Sequence, residues 1–513
     1  MPPANNGRQN ATATTATNTS VRVAPVEPHR SMPGRYRRAH TMAELLIATD
    51  LPSPSELAST PLRTSLDAAA VDATWTLDPS DERVIATVMV DHDTELRPGA
   101  LDLVLATLAA HPEIDLMTAD GRAGSAWRLR GAWSPTRIAA SPDELDLVIV
   151  RGRVADTSLL GRAQHLFAAD PTRIGHLPAV LAERATDLTP SPSTASSIAT
   201  LLTDRYSAPE IEAISIVIPT AGFLDDTRTP FVTAAIDAAR RGGIARIEIL
   251  LVVGEEFVGD AEALCEEDVR LVHRPKGSWN FSAAVNLGVL AARHEHILVL
   301  NDDVEAIADG WLAALATPLR DPGVGAVGAL LLFPDHTVQH AGMVIDDAVP
   351  LHCFAGWTLE DLQAVGGHRP REMAAVTGAC LLARRADLLA VGGLNEGLPF
   401  NFNDVDLCFK FLRRGQRVVF NPEAMLVHHE GASREPVTHG WEWDRFVHRW
   451  GHVVDPWYHP AFLRPDDPGD RRRNADHLLP GTVPEAGELR TAVVRSDVHE
   501  ARLRSHEGTT VPE

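Results

Sequence analysis

The chain is poor in cysteine. Cys265, Cys353, Cys380 and Cys408 are widely spaced in 513 residues, and no CxxC pair occurs. That excludes a disulfide framework and fits a reducing compartment. No stretch approaches 18 apolar residues, so no membrane-spanning helix is expected. The opening MPPANNGRQNATATTATNTS has no positive segment followed by an apolar one, so no signal peptide is expected. Basic residues are outnumbered, 47 against 69 acidic, for a formal net charge of -22. Such a surface repels nucleic acid over most of its area, yet leaves room for a local basic pocket that takes a diphosphate. Aromatic residues are scarce at 5%, which makes their crowding in GWEWDRFVHRWGHVVDPWYHP, residues 440–460, conspicuous. That segment reads as an amphipathic helix closing onto a core, or as a stacking wall for a glycan.

The hydrophobic fraction, 44%, supplies sizeable cores, and the length allows two to four domains. Residues 1–38, rich in Ala, Thr, Asn and Pro, read as a disordered arm, and residues 465–513 as a flexible tail. Two αβ-like regions lie between, joined near LTPSPSTASS, residues 188–197, a linker signal. In the second region, apolar strands at 214–218, 247–253, 269–273 and 297–300 alternate with helices at 231–241 and 282–293. That alternation predicts βαβ units and a mostly parallel sheet. The first region repeats part of the pattern: DHDTELRPGALDLVLATLAAHPEIDLMTAD matches NDDVEAIADGWLAALATPLRDPGVGAVGAL as strand, acidic triplet, loop, helix, turn and strand.

Three places can carry chemistry. Asn301-Asp302-Asp303 follows an apolar strand, where open parallel sheets bind ligands. Clustered carboxylates there suit a divalent cation bridging a diphosphate, or else a solvated turn that caps the next helix. Asn403-Asp404-Val405-Asp406 opens a helix. Asp404 there is the candidate general base for transfer to a hydroxyl, with Asp406 supporting it or holding the acceptor; a plain helix cap is the alternative. VHHEGASR, residues 427–434, follows another strand. There His428, or alternatively His429, could complete the coordination of a cation held by Asp303, and Arg434 could meet phosphate oxygens. A nucleotide pocket is expected around Pro219, Thr220 and Ala221, the loop after the first strand of this region. Asn280 and Asn286 either touch ligand or are hydrogen-bonded internally.

From about residue 214 to 455 the chain resembles family 2 glycosyltransferases of the GT-A fold. The resemblance runs through SIVIPT, NFSAAVNLGVLAA, LVLNDDVEAI, GWLAAL, VQHAGMVI, VTGACLLARR and VGGLNEGLPFNFNDVDLCFKFLRRGQRVVFNPEAMLVHHEGAS, in that order. It implies an α/β nucleotide-diphospho-sugar transferase fold and an inverting transfer from a UDP-, dTDP- or GDP-linked sugar. It implies Mg2+ or Mn2+ as cofactor, with Asp303 the main ligand, His428 the late histidine and Asn301 and Asp302 completing the acidic motif. It implies Asp404 as base, and Thr377-Gly378-Ala379-Cys380, Gly378 included, along the donor-sugar and acceptor side. The acceptor would be a hydroxyl of a glycan or a lipid-linked glycan in the synthesis of bacterial surface polysaccharide or cell wall. The closest flavour is rhamnosyltransferase-like. Two positions depart from the family pattern. Asn301 replaces the first carboxylate of the metal motif. Val252 and Val253 stand where many members carry an Asp that reads the base, so Glu255 is the candidate substitute.

The expected organisation is then an arm over 1–38, a degenerate, non-catalytic GT-A-like domain over 39–200, a catalytic domain over 210–435, an aromatic helical closure over 436–464 and the tail. Within the first domain the copy is traced over about 80–190, through DHDTEL, GAWSPTRIAASPDELDLVIVRGRV and RIGHLPAVLAER, with no recognisable opening strand. A cytoplasmic location is expected. It is compatible with peripheral association at the inner face of the plasma membrane or with a polysaccharide assembly machinery, and with homo-oligomerisation. The competing readings are a catalytically impaired glycan-binding scaffold, favoured by Asn301, Asn403 and Val253, and another nucleotide-sugar-using transferase.

Overall fold

The computed structural model describes residues 44–48, 60–70, 74–76, 82–124, 126–128, 134–140, 145–185, 192–203, 208–220, 229–429, 438–457 and 494–495, with single-residue breaks. The arm at 1–38, most of the tail, Ala221 and Arg434 lie outside the described residues. Among the described residues no helix is long and apolar enough to cross a membrane.

The first lobe contains β1 (Glu44–Ala48), β2 (Thr74–Thr76), β3 (Val84–Val90), β4 (Thr94–Leu96), β5 (Leu116–Ala123), β6 (Ala126–Arg128), β7 (Leu147–Arg151) and β8 (Ile174–Arg184). The second contains β9 (Ala213–Pro219), β10 (Arg246–Gly254), β11 (Val269–Arg274), β12 (His296–Leu300), β13 (Val304–Ala306), β14 (Val324–Leu332), β15 (Val338–His340), β16 (Met343–Asp346), β17 (Val349–His352), β18 (Arg371–Glu372), β19 (Cys380–Arg384) and β20 (Arg417–His428). The second sheet runs β11-β10-β9-β12-β19-β14-β20-β13. β9 through β12 are parallel, and β19 enters antiparallel to both β12 and β14.

The central strands of the parallel half are mostly apolar because helices cover both faces, and the buried Ser215 and Glu248 that interrupt them bond each other at 2.6 Å. Val217, Leu250, Val252 and Val299 point to one face, against Ala284, Val285 and Val289 of the helix Phe281–Ala291. Their neighbours Ile216, Ile218, Leu251, Val253 and Leu298 point to the other, against Val232, Ala235 and Ile236 of the helix Thr229–Arg240. Gly288 is required on the first face: a Cβ there would collide with the Val217 side chain.

The first sheet runs β2-β1-β3-β7-β5-β8 with the same directions: β1 parallel to β3, β7 antiparallel to β3 and β5, and β5 parallel to β8. β4 pairs antiparallel with β8 as β13 pairs with β20. β1, β3, β7, β5, β8 and β4 therefore have counterparts in β9, β12, β19, β14, β20 and β13 of the second. The opening strand that the sequence does not reveal is β1, whose Leu45 and Ile47 are buried in the first core.

Two segments differ from their sequence reading. The linker signal at 188–197 runs into the helix Pro192–Thr203, which packs on the helices Pro135–Ala140 and Leu159–Ala168. Val494–Arg495, in the stretch read as a tail, forms β21, a short antiparallel strand beside β8.

Ser134 and Thr136 of the first lobe land on the second. Glu372 is buried and accepts from Ser134 Oγ and, at 2.7 Å, from Thr136 Oγ1. The same carboxylate accepts from Arg417 NH1 at 2.7 Å, so one buried acid ties both lobes to β20.

Candidate active site

β12 delivers Asn301-Asp302-Asp303 to the carboxyl end of the sheet, and β20 ends beside it at His428. The β13–β20 ladder sets Val304 opposite His428, so Asp303 and His428 meet. Asp303 Oδ1 lies 3.1 Å from His428 Nε2, and Asn301 Nδ2 is also 3.1 Å from that nitrogen. All three side chains are largely buried, with Asp303 at 3% exposure.

Gln339, on β15, holds the imidazole. Its amide Nε2 donates to the His428 carbonyl at 3.3 Å, so its oxygen must face the ring, 2.7 Å from Nδ1. That turns an Nδ1 proton toward Gln339 and leaves Nε2 as the ring nitrogen that faces Asp303 and Asn301. His429, the alternative, points elsewhere: its Nε2 lies 2.9 Å from Glu305 Oε1.

His428 Nε2 thus faces both the Asp303 carboxylate and the Asn301 amide N–H, and a cation would enter on this side of the ring in place of that amide contact. Asn301 Oδ1 is buried in the same place and accepts no hydrogen bond. Adjacent ligands on an octahedral cation with bonds of about 2.1 Å sit about 3 Å apart, which agrees with the 3.1 Å separation. Among the described residues no cluster of three or more His, Cys, Asp or Glu side chains surrounds a metal position. The donor set is therefore one carboxylate, one imidazole and an amide oxygen. It fits a hard cation that takes its remaining ligands from phosphate and water.

The segment Thr377–Cys380 bridges the triplet to Asp404. Asn301 N donates to Ala379 O at 2.9 Å, and Gly378 N donates to Asp404 Oδ2 at 2.9 Å. Asp404 Oδ1 accepts from Val405 N at 2.8 Å, so both carboxylate oxygens are oriented while each keeps a free lone pair. The side chain is half-buried at the start of the helix Asn403–Arg413.

Asp406 has a different task. It is fully buried, accepts from Trp450 Nε1 at 2.8 Å and pairs with Lys410 Nζ at 2.8 Å, which removes it from any contact with an acceptor. It anchors the helix Gly440–Trp450, whose Phe446 stacks on Phe402 with ring centres 5.0 Å apart. Phe402 has a left-handed backbone (φ 61°) immediately before the helix that carries Asp404. Glu442, also fully buried, accepts from Phe400 N at 2.9 Å and Asn401 N at 3.0 Å. The aromatic segment thus closes onto the core and fixes the loop that presents Asp404.

Other sequence candidates are consumed inside the protein. Asn280 caps the helix Phe281–Ala291, accepting from Ala283 N at 3.0 Å and donating to Glu396 O at 2.9 Å. Asn286 accepts from Leu394 N at 2.9 Å and donates to Leu394 O at 3.0 Å. Both organise the loop before Asp404 rather than facing a ligand. Pro219 and Thr220 are buried at the end of β9, with Thr220 N bonded to Val252 O at 3.0 Å. Val252 and Val253 point into the core, and Glu255 is exposed just past the end of β10. Asp302 is buried beside Asp303.

Sequence reasoning missed Gln339 and Glu442.

Residues 212–451 match the family described as "Glycosyltransferase like family 2". An uncharacterized protein y4gI of Sinorhizobium fredii is 37% identical over 232 residues, which cover 43% of this chain and 25% of that protein. The O-antigen biosynthesis protein RfbC of Myxococcus xanthus is 33% identical over 311 residues, covering 56% and 24%. An N-acetylglucosaminyl-diphospho-decaprenol L-rhamnosyltransferase of Mycobacterium tuberculosis is 29% identical over 154 residues, covering 28% and 50%. The chain thus spans about a quarter of the length of the first two relatives and half of the third. Residues 212–451 are a glycosyltransferase-like family 2 domain of the α/β class.

Proposed function

We propose that this protein is an inverting, metal-dependent glycosyltransferase. It moves a sugar from a nucleoside-diphosphate donor to a hydroxyl of a glycan or lipid-linked acceptor in cell-surface polysaccharide synthesis. The observation that carries the reading is the short bridge through Gly378 and Ala379, which sets an oriented carboxylate, Asp404, beside the Asn301–Asp303–His428 group. The relatives named for O-antigen biosynthesis and for L-rhamnosyl transfer to a diphospho-decaprenol carrier support the acceptor class.

Asp303 Oδ1, His428 Nε2 and Asn301 Oδ1 would hold Mg2+ or Mn2+. When bound, that cation supplies neutralising charge for the diphosphate as it leaves. Gln339 keeps the His428 lone pair available as a ligand by engaging the other ring nitrogen. The Gly378 and Val405 N–H groups aim the Asp404 carboxylate. The acceptor hydroxyl gives its proton to a free lone pair of Asp404 as its oxygen bonds to the anomeric carbon. The bond from that carbon to the diphosphate oxygen breaks on the opposite side, which inverts the centre.

Asp404→Asn keeps the shape and removes the base. Transfer should fall about 10²- to 10⁴-fold, while donor affinity measured by calorimetry stays within about twofold of wild type. A variant as active as wild type would remove Asp404 from this role.

A further inference from the structure

The matching sheets allow the acidic strand ends of the two lobes to be compared residue by residue. In the second lobe the β13–β20 ladder sets Val304 opposite His428, with Asp303 just before Val304. In the first lobe the β4–β8 ladder sets Thr94 opposite Arg184, with Asp93 just before Thr94. Arg184 and His428 are each the last residue of their strand. Arg184 therefore stands in the first lobe where His428 stands in the second.

Arg184 spans the acidic triplet. Its NH1 lies 2.7 Å from Asp91 Oδ2 and its NH2 lies 2.7 Å from Asp93 Oδ2. Arg162, wholly buried, reaches the other Asp91 oxygen at 2.7 Å and bonds the Leu145 carbonyl at 2.9 Å. Two guanidinium groups balance two carboxylates. The Arg184–Asp91 pair is largely buried, at 7% and 13% exposure, while Asp93 keeps 41%, so the Arg184–Asp91 contact at least is not a solvated ion pair at a turn. A divalent cation at Asp91 and Asp93 would have to displace a positive group that is already hydrogen-bonded to both. The helix Leu159–Ala168 also brings no acidic residue in its first turn, whereas Asn403–Arg413 brings Asp404 and Asp406.

We infer that the first lobe is a second copy of the transferase site in which Arg184 permanently replaces the metal ion. The acidic triplet is retained as the anchor of that internal cation, and the lobe does not take up a metal–diphosphate ligand. The inference rests on the reading that Asp303 and His428 hold the cation of the second lobe.

The test counts bound Mn2+ on the full chain by the electron paramagnetic resonance signal of the free ion. Wild type should bind one ion, and Asp303→Ala with His428→Ala should bind none. Arg184→His added to that double variant should restore one, because it rebuilds a histidine beside two carboxylates. A parallel arm uses Arg184→Ala in the same background: saturating Mn2+ should raise its Tm by about 5 °C, and adding Asp93→Asn should abolish the rise. The proposal is overturned if both Arg184 variants fold by circular dichroism yet bind no Mn2+ and show no shift. If the double variant still binds an ion, Asp91→Asn with Asp93→Asn is added. Loss of the ion then overturns the present proposal, and its persistence overturns the assignment in the second lobe. If the Arg184 variants do not fold, the double variant with Arg184 intact still decides between these outcomes.

Discussion

Glu442→Ala tests the claim that the C-terminal helix fixes the general base without touching substrate. The Glu442 carboxylate accepts from Phe400 N at 2.9 Å, Asn401 N at 3.0 Å and Asn401 Nδ2 at 2.7 Å. Removing it strips the acceptor from two backbone N–H groups, which are half-buried and so in reach of water. The lower end of the usual penalty applies, about 1 kcal/mol each, or about 2 kcal/mol in all. Phe402, one residue on, is held in a left-handed conformation that costs about 1–2 kcal/mol, and Trp443 and Phe446 pack against its ring. Once the loop is loosened, that strain can relax and shift Asp404, two residues further along. Tm should fall by about 4–8 °C. Because misplacement by about 1 Å can cost about 10²-fold, kcat should fall by one to two orders of magnitude. The affinity for donor with Mn2+ should not change, since Glu442 touches none of Asn301, Asp303 or His428. Glu442→Gln retains a carbonyl oxygen for both N–H groups and should recover most of kcat. The assay is transfer kinetics with the donor titrated, alongside thermal melts. Wild-type kcat and Tm in Glu442→Ala would refute the reasoning, as would a loss confined to donor binding.

Two further outcomes follow from neighbouring residues. Gln339→Leu frees the His428 ring and should weaken Mn2+ binding about 10–100-fold, with kcat recovering at saturating Mn2+; an unchanged Mn2+ titration would count against the clamp. His340 is buried beside His352, and its Nε2 accepts from Thr377 N at 3.4 Å. Burial pushes His340 well below the usual imidazole range, reinforced by His352, His428 and Arg371. The folded protein thus refuses a proton that the unfolded chain takes up as pH falls through about 6.5. Stability is therefore fully present above that value. It is lost as pH drops toward the depressed folded value, by up to about 1.4 kcal/mol per pH unit. Urea unfolding between pH 8 and 5 should show this slope in wild type and a shallower one in His340→Asn; equal slopes would exclude His340 as its source.

The sites most legible in the sequence were those set by local pattern. An apolar strand ending in Asn301-Asp302-Asp303 and a helix opening at Asn403-Asp404 are fixed by residues that adjoin in the chain. The alternation of buried faces on β9 to β12 follows from the same local rules. Contacts between distant segments were not legible. Asp406 looks like a second catalytic acid until Trp450, 44 residues away, occupies it. Asn280 and Asn286 look like ligand contacts until the loop around Leu394 and Glu396 takes up their amides. The left-handed Phe402 leaves no signal because it is not a glycine. The helix Pro192–Thr203 was hidden by its Ser/Pro/Thr content, although proline is favoured at a first helical position. Arg184 gained meaning only when strand register placed it opposite Thr94 as His428 is placed opposite Val304.

The most direct measurement of the central claim is calorimetric binding of UDP, dTDP and GDP to the full chain, with Mn2+ and with chelator, in wild type and in Asp303→Ala. One nucleotide should bind wild type with Mn2+ at least about tenfold more tightly than with chelator, a difference of about 1.4 kcal/mol, and Asp303→Ala should lose that difference. Equal binding with and without Mn2+, or an Asp303→Ala variant that keeps the full Mn2+ effect, would contradict a metal–diphosphate site at Asp303 and His428.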